Sequence, residues 1–576
     1  MCGFFGSNDT RFLTMGSLDV IQKSLYTRGP ESFSSNMFEN FLLCHSRLAL
    51  TDLTANAAQP FISKDLCNVV LYNGEIFNFQ SIKENHPEIC FKTRSDTEVL
   101  TEMLATKGLD GLNQLDGMYS FAWLDMRNKI LTLGRDPIGM KPNYYRLDQY
   151  GLSFSSSLKV LKHQNSTVNL RSRASFLAFG FTQAPDTIFG GIHQLEPGEI
   201  IRIDTQTNSI IERTFRRYKL FYPKIHKEPI SSTKKLLENT IALHRKADVP
   251  VGTMLSGGLD SSLVTFIASK QDSPVTAFSV NFDVPDYDES YFQTVMSQHC
   301  GRDIQHVQIR YTKNQFREDI ARYLSSLEYP LLDGLNSYIA ANLISSHGFK
   351  SVLTGQGADE IFYGYNSFRM CDELTTSKIL LNKLRLFDFT GHLENLDSRT
   401  AAIINAFLNS KLKFSVRQLR TKFDVSVEDL QSIATVTFKN LTRMLPCEIK
   451  TYTKLQLCSA LELCFRLSNE LMIKDDFFCM VHSVETRNPF LSKALLEHVT
   501  SIPSDVILQG STFQRKPLLK NIAKYYLPDE VIHRTKAGFS VPYKYWIEDL
   551  FVDDQKHDYT YTQKLSLGIA KQFDLL

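Results

Sequence analysis

The sequence predicts a chain of two unlike halves: a β-rich N-terminal domain, then an α/β domain on a parallel sheet with a helical C-terminal extension. Three observations predict it. Short apolar segments broken by turn dipeptides fill residues 2–205, strand and helix patterns alternate through residues 226–369, and helical periodicity dominates from there to residue 576. A chain of 576 residues has room for about two to four domains, which accommodates this plan.

In the first half, Phe41–Cys44, Val69–Leu71, Ser120–Asp125, Lys129–Leu133 and Leu152–Ser155 read as strands. The turn signals Asn73–Gly74, Asp116–Gly117 and Pro197–Gly198 punctuate them. The boundary falls in the mixed-charge, proline-bearing span Thr205–Pro229, so the second domain is taken as residues 226–576. There Leu236, Leu237 and Ile241 stand at helical spacing within Ser231–Arg245, behind Ser/Thr cap residues. Strand Val249–Leu255, helix Leu263–Ser269, strand Pro274–Val280 and helix Glu289–His299 follow, with further strands at Ile304–Ile309 and Phe349–Leu353. Strand alternating with helix calls for a parallel sheet covered on both faces.

Composition excludes several function classes. With 43% hydrophobic and 22% charged residues the chain is of ordinary globular make-up, not disordered or fibrous. Lys and Arg number 64 against 62 Asp and Glu, and this net charge of +2 lacks the basic excess of a nucleic-acid binder. No apolar stretch approaches the ~18 residues of a membrane helix. MCGFFGSNDT has no basic region followed by an apolar run, so no secretory signal is read there. Ten cysteines without a CxxC pair or zinc spacing point to free thiols in a reducing, cytoplasmic setting. Cys458, Cys464 and Cys479 read as buried small hydrophobes, and Asp475–Asp476 as a capping or surface pair rather than a metal pair. The 40 Phe and 23 Tyr are dispersed, as core residues are, and the 14 His form no HExxH pattern.

Cys2 directly follows the initiator Met. With Met1 removed, one residue carries a thiol and an α-amine whose pKa near ~8 suits it to accept the thiol proton. The second-position cysteine is by itself a weak signal, but RGP (Arg28–Pro30), HSRL (His45–Leu48), YNGEIFN (Tyr72–Asn78) and RSDTEVL (Arg94–Leu100) follow it. Hydrolysing the side-chain amide of a free amino acid requires a carboxylate anchor, a counter-charge for the ammonium, and donors at the developing oxyanion. Arg47 suits the first, Asp96 and Glu75 the second, and Asn73 with the Gly74 N–H the third.

VGTMLSGGLDSS (Val251–Ser262) runs from an apolar strand through Ser-Gly-Gly into a helix. Gly257 and Gly258 let successive N–H groups converge on an anion, and the helix N-terminus adds positive charge. Ser256, Ser261 and Ser262 supply hydroxyl donors, and Asp260 can reach a Mg²⁺ carried by a nucleotide. A Gly-rich turn between strand and helix is common, but the full SGGLDSS is far more specific. No GxxxxGK[ST] occurs, so this is not a kinase-type phosphate loop.

MCGFFG, RGP, HSRLALTD, YNGEIFN and SDTEVL together resemble the N-terminal-nucleophile glutaminase domain of the glutamine-dependent asparagine synthetase family. SGGLDSS resembles the pyrophosphate loop of ATP pyrophosphatases, the fold of that family's synthetase domain. The resemblance implies an αββα antiparallel sandwich in front of an ATP-pyrophosphatase domain. It implies glutamine bound by Arg47, Asn73, Gly74, Glu75 and Asp96, with a γ-glutamyl thioester at Cys2. It further implies ATP contacts from Leu255, Ser256, Gly257, Gly258, Asp260, Ser261, Val280, Thr354, Gly355 and Lys516. Mg²⁺ would rest on Asp260 and Asp359. VETRNPFL (Val484–Leu491) and KAGFSVPYKYW (Lys536–Trp546) extend the likeness to nearly the whole chain, and family members are often homodimers.

The chain departs from the family at several positions. Gln356 stands between the two glycines where asparagine-forming members carry an acidic residue important at the acyl-adenylate, and glutamine accepts no proton near neutral pH. Phe477 stands where the family often has Arg, and Tyr363 replaces a usual Gly, changes expected to cluster in the acceptor half of the site. Pro137 and Ser157 replace a usual Arg and Glu, with packing against the second domain the expected consequence. The expectation is an amidotransferase that turns a carboxylate, foremost aspartate, into a carboxamide. The alternative acceptors are a sugar uronate or a biosynthetic intermediate. A glutamine- or nucleotide-sensing relative without activity is disfavoured by the joint retention of Cys2, Arg47, Asp96, Asp260 and Lys516. Members that close an intramolecular amide have little use for glutamine, so the same set disfavours them.

Overall fold

The computed structural model describes residues 2–12, 15–163, 166–271, 274–374, 387–393, 396–510, 513–536, 538–547 and 559–576. Ala537, within the C-terminal motif quoted above, lies outside them. The first half contains β1 (Cys2–Ser7), β2 (Ser32–Phe38), β3 (Phe41–Arg47), β4 (Phe61–Ile62), β5 (Asn68–Ile76) and β6 (Gly117–Asp125). It continues with β7 (Ile130–Arg135), β8 (Tyr144–Asp148), β9 (Gly151–Ser155), β10 (His193–Gln194), β11 (Glu199–Asp204) and β12 (Ser209–Phe215). These strands form two six-stranded antiparallel sheets, in the orders β10-β8-β9-β1-β3-β2 and β12-β11-β7-β6-β5-β4.

Side-chain alternation along the strands fills the space between the sheets. Phe4, Leu43, Leu71, Leu133, Phe154 and Ile201 meet there in one cluster. Neighbouring positions face outward under helices: Phe5 packs with Ile21 and Leu25, and Val70 and Tyr72 pack with Val99 and Met103. This is the αββα sandwich. The second sheet continues beyond residue 205, because β12 pairs antiparallel with β11 from Ser209 to Phe215.

The second half is built on β13 (Val251–Met254), β14 (Val275–Phe282), β15 (Ile304–Tyr311), β16 (Ser351–Leu353) and β17 (Glu485–Arg487). They form one parallel sheet in the order β15-β14-β13-β16-β17. The C-terminal region is mostly helical, as expected, and β17 is a short strand within it. Glu-Thr-Arg carries no apolar signal, yet all three residues are buried as the strand pairs with β16.

The halves meet over a broad contact in which apolar packing joins ion pairs, with the Phe179 and Phe181 rings set edge-on against Phe465. Asp476 binds Arg28 at 2.9 Å and Lys141 at 3.4 Å. The Phe77 ring stacks on His244 with centroids 3.7 Å apart. Ser157 donates to both carboxylate oxygens of Glu328, at 2.8 and 2.9 Å, so the second domain supplies the carboxylate that this position lacks. Among the described residues, no helix is long and apolar enough to cross a membrane.

Candidate active site

The N-terminal site assembles where β1, β3 and β5 converge. Cys2 and Arg47 are register partners across β1 and β3. Asn73 Oδ1 accepts a hydrogen bond from the Cys2 backbone N–H at 3.1 Å, while its Nδ2 is buried with no partner among the described residues. An amide held by its oxygen, with its donors uncommitted, suits an oxyanion. Gly74 lets β6 approach, since a Cβ there would overlap the Met118 carbonyl oxygen. Arg47 is held from behind: Nη1 donates to the Thr54 carbonyl at 2.7 Å and Nη2 to that of Asp52.

Two carboxylates close the site. Asp96 opens the helix Asp96–Lys107, which Ser95 caps by accepting from the Thr97 N–H. Its Oδ2 accepts from the Tyr72 hydroxyl at 2.9 Å and the Ile76 N–H at 3.0 Å. Glu75 Oε1 accepts from Thr51 Oγ1 at 2.9 Å, and Oε2 lies 3.3 Å from Nη2 of Arg487, a residue of the other half. Burial pushes both carboxyls up, Glu75 to about 8, against the pull of Arg487 on Glu75 and of the Ile76 N–H on Asp96. Burial also pushes the Cys2 thiol up, with the Leu48 N–H and Arg47 opposing it. Activation therefore needs a local proton acceptor.

The second site is a cleft of about 770 Å³. It lies beyond the ends of β13 and β16, where the chain switches from one side of the sheet to the other. Gly257 turns the loop with φ +74°, in a space where a Cβ would come within 2.8 Å of Phe292 Cβ. Ser256 Oγ and Ser261 Oγ share a hydrogen bond of 2.9 Å at the start of the helix Leu259–Ser269. Lys516 Nζ lies 2.6 Å from both Asp260 Oδ2 and Asp359 Oδ1, and Lys536 Nζ reaches Asp359 at 2.5 Å. Although burial opposes it, the two lysines hold Asp359 down at about 2. Asp260 Oδ1 is buried with no partner among the described residues. Two adjoining carboxylates with an uncommitted oxygen fit a magnesium ion that is otherwise bound by phosphate and water.

The expected nucleotide residues divide on placement. Ser256, Gly258, Asp260, Ser261, Thr354, Gly355, Asp359 and Lys516 line the cleft, as does Gln356. Leu255 and Val280 are buried in the sheet core instead, and Met254, Leu259, Ile344 and Val352 supply the apolar wall. Of the three acceptor-half departures only Gln356 faces the cleft. Phe477 packs on Tyr329, with centroids 5.3 Å apart, toward the N-terminal domain. Tyr363 is buried against Phe368 and keeps a left-handed φ of 63°, the backbone shape of the glycine it replaces.

Sequence reasoning missed several cleft residues. A π-helical stretch, Glu462–Leu471, sets Arg466 in the wall, with Nε donating to Glu470 at 2.8 Å. Lys474 pairs with Asp333 at 3.1 Å beside Asn336 and Ser337. Asp475 lines the same wall and accepts from Ser337, and Asp476 is spent on Arg28 and Lys141, so neither is a surface residue. Cys458, Cys464 and Cys479 are buried, as expected.

Known proteins match both halves of the chain. The Asparagine synthase family model matches residues 232–566 and the Glutamine amidotransferase domain model residues 1–218. Asparagine synthetase [glutamine-hydrolyzing] 1 of Bacillus subtilis (strain 168) is 24% identical, with 95% of this chain and 88% of that protein covered. A putative asparagine synthetase [glutamine-hydrolyzing] 2 of Methanocaldococcus jannaschii is 30% identical over 64% of this chain and 77% of its own length. Amidase chyE of Penicillium rubens is 24% identical over 92% and 84%. With both halves matched in order over most of its length, the chain belongs to the glutamine-dependent asparagine synthetase family and is an amidotransferase-type ligase.

Proposed function

We propose that the chain hydrolyses glutamine at Cys2 and uses the ammonia to convert an ATP-activated carboxylate, foremost aspartate, into a carboxamide. One observation carries this reading: a cysteine faced by an amide with free donors, and an anion loop faced by Lys516 and two carboxylates, stand in one chain.

Once Met1 is removed, the Cys2 thiol passes its proton to its own α-amine and Sγ attacks the glutamine side-chain carbonyl. Negative charge moves to the carbonyl oxygen, where Asn73 Nδ2 and the Gly74 N–H receive it. Collapse expels ammonia, protonated through the same amine, and water then releases glutamate from the thioester. Arg47 anchors the α-carboxylate, and Glu75 and Asp96 hold the ammonium. In the cleft, an acceptor carboxylate oxygen attacks the α-phosphorus and pyrophosphate leaves, its charge met by Lys516. Ammonia then adds to the acyl carbon and AMP departs. It travels internally, because ammonia released to neutral water becomes mostly unreactive ammonium. Magnesium bound with the nucleotide supplies Lewis-acid charge neutralisation on the phosphates, and Asp260 and Asp359 are the residues that would hold it. The free thiols fit a cytoplasmic setting.

A second acceptor class has its own support. Gln356 lies on the cleft wall without proton-accepting capacity, and two relatives of similar coverage are named amidases. A sugar uronate or a biosynthetic intermediate is the acceptor on that reading. Pyrophosphate release with ATP, Mg²⁺ and glutamine, with and without aspartate, separates the two. Aspartate-dependent release accompanied by asparagine supports the first. Glutamate formation with no aspartate-dependent pyrophosphate removes aspartate and supports the second.

A further inference from the structure

One short strand touches both sites. In β17, Thr486 lines the nucleotide cleft, so alternation turns Arg487 to the other face, toward the N-terminal domain. The Arg487 side chain is fully buried. Nε donates to Glu485 at 2.7 Å, and Nη1 donates to the carbonyls of His244 and Lys246 at 2.9 and 2.8 Å. These three contacts fix the guanidinium to its own half. Nη2 alone crosses over, 3.3 Å from Glu75 Oε2. The anchoring continues to the cleft wall just after β16, where the Thr354 N–H donates to the Arg487 carbonyl at 3.0 Å and the Thr354 hydroxyl to Asn488 at 2.5 Å.

We infer that Arg487, a residue of the synthetase half, is a positioning residue for glutamine hydrolysis: it holds the Glu75 carboxylate in place and aims it at the substrate ammonium, its own charge favouring the ionised form. The inference rests on the assignment of Glu75 to the glutamine ammonium. Glu75, Asp96 and Glu485 are buried close to one another, with the Tyr72 hydroxyl and Cys2 on the same side. Burying like charges together drives a carboxylate to take up a proton unless a fixed cation compensates. Arg487 is that cation, since a guanidinium stays charged and its anchors leave it one direction to point. The glutamine site is on this view completed by the other domain. Arg28 and Lys141 also cross the interface, but they bind Asp476 and leave Glu75 alone.

The test uses the full chain as wild type, Arg487→Gln, Arg487→Lys and Cys2→Ala, with Lys350→Ala as an interface control that breaks only the exposed pair with Glu31. Glutamate release is measured against glutamine concentration, and hydrolysis of glutaramate, the same amide without the α-ammonium, alongside it. The rate of Cys2 alkylation by iodoacetamide reports the nucleophile independently. Loss of an opposite charge in contact moves a carboxyl pKa by about 1–3 units, so KM for glutamine is expected to rise about tenfold or more in Arg487→Gln. Glutaramate hydrolysis, Cys2 alkylation and Lys350→Ala stay near wild type, and Arg487→Lys recovers part of the loss. An unchanged glutamine KM overturns the inference. Equal losses on glutamine and glutaramate also overturn it, making Arg487 a structural strut. If Cys2→Ala hydrolyses glutamine as well as wild type, the Cys2 assignment fails instead, whatever Arg487 does.

Discussion

Asn73 meets Cys2 with one end of its amide and leaves the other end unspent: Oδ1 takes the Cys2 N–H at 3.1 Å, and the buried Nδ2 has no partner among the described residues. Removing one oxyanion donor typically costs about 10²–10³ in kcat. Asn73→Ala is therefore expected to lower the kcat for glutamate release by about that factor with little change in KM, read by steady-state kinetics.

Cys2→Ala is expected to abolish glutamine-dependent product while free ammonia still supports the cleft reaction. Comparing the two nitrogen donors in one preparation checks it. Equal loss with both would break the assignment of chemistry to separate halves.

Asp260→Ala removes a carboxylate that shares Lys516 and the oxygen offered to magnesium. ATP cleavage is expected to vanish with either nitrogen donor, while glutamine hydrolysis survives. Pyrophosphate and glutamate measured in parallel report the two halves.

Gly364→Ala tests the same cluster without touching its charges. A Cβ at this position would overlap Asp359 Oδ1 and Lys516 Cε, both ends of movable side chains. The fold is expected to hold, shown by an unchanged melting transition, while KM for ATP rises as the lysine is displaced.

Glu75 gives a pH prediction with a definite sign. Burial lifts it to about 8, Arg487 pulls it down, and Asp96 and Glu485 push it up, with Tyr72 and Thr51 also facing it. Only the ionised form pairs with ammonium, so kcat/KM for glutamine falls as pH drops through that value. Taking Arg487 away raises the Glu75 pKa, so the fall moves to higher pH in Arg487→Gln. Profiles of both proteins on either side of the midpoint decide it.

The sequence made the interior of each sheet readable and left most of the edges dark. Phe41–Cys44 and Val69–Leu71 are apolar because their strands are buried and flanked by partner strands on both sides. Strand Ser32–Phe38 is an edge strand, largely exposed and polar, and Ser209–Phe215 is another, so neither carries an alternating apolar signal. Cys2–Ser7 is interior but reads as chemistry, since its glycines mask the strand pattern. Local motifs pointed to Cys2, Asn73, Asp96 and Asp260 because the residue types that chemistry calls for stand within a few positions of one another. Arg487 and Arg466 escaped for the opposite reason. Each depends on a neighbour brought close by folding, Glu75 across the domain interface and the cleft wall shaped by a π-helical turn. Leu255 and Val280 come from the family resemblance alone, and both are buried against the sheet.

Lys516 is no idle cation, because its ammonium is already shared by Asp260 and Asp359 at 2.6 Å each. A pyrophosphate that draws it away must outbid two carboxylates, and those carboxylates remain beside it to reclaim it. The site therefore works as an ion exchanger, gripping triphosphate through a net difference between two sets of partners. Leaving is built into holding: the carboxylates that give up the lysine stand ready to take it back as pyrophosphate departs.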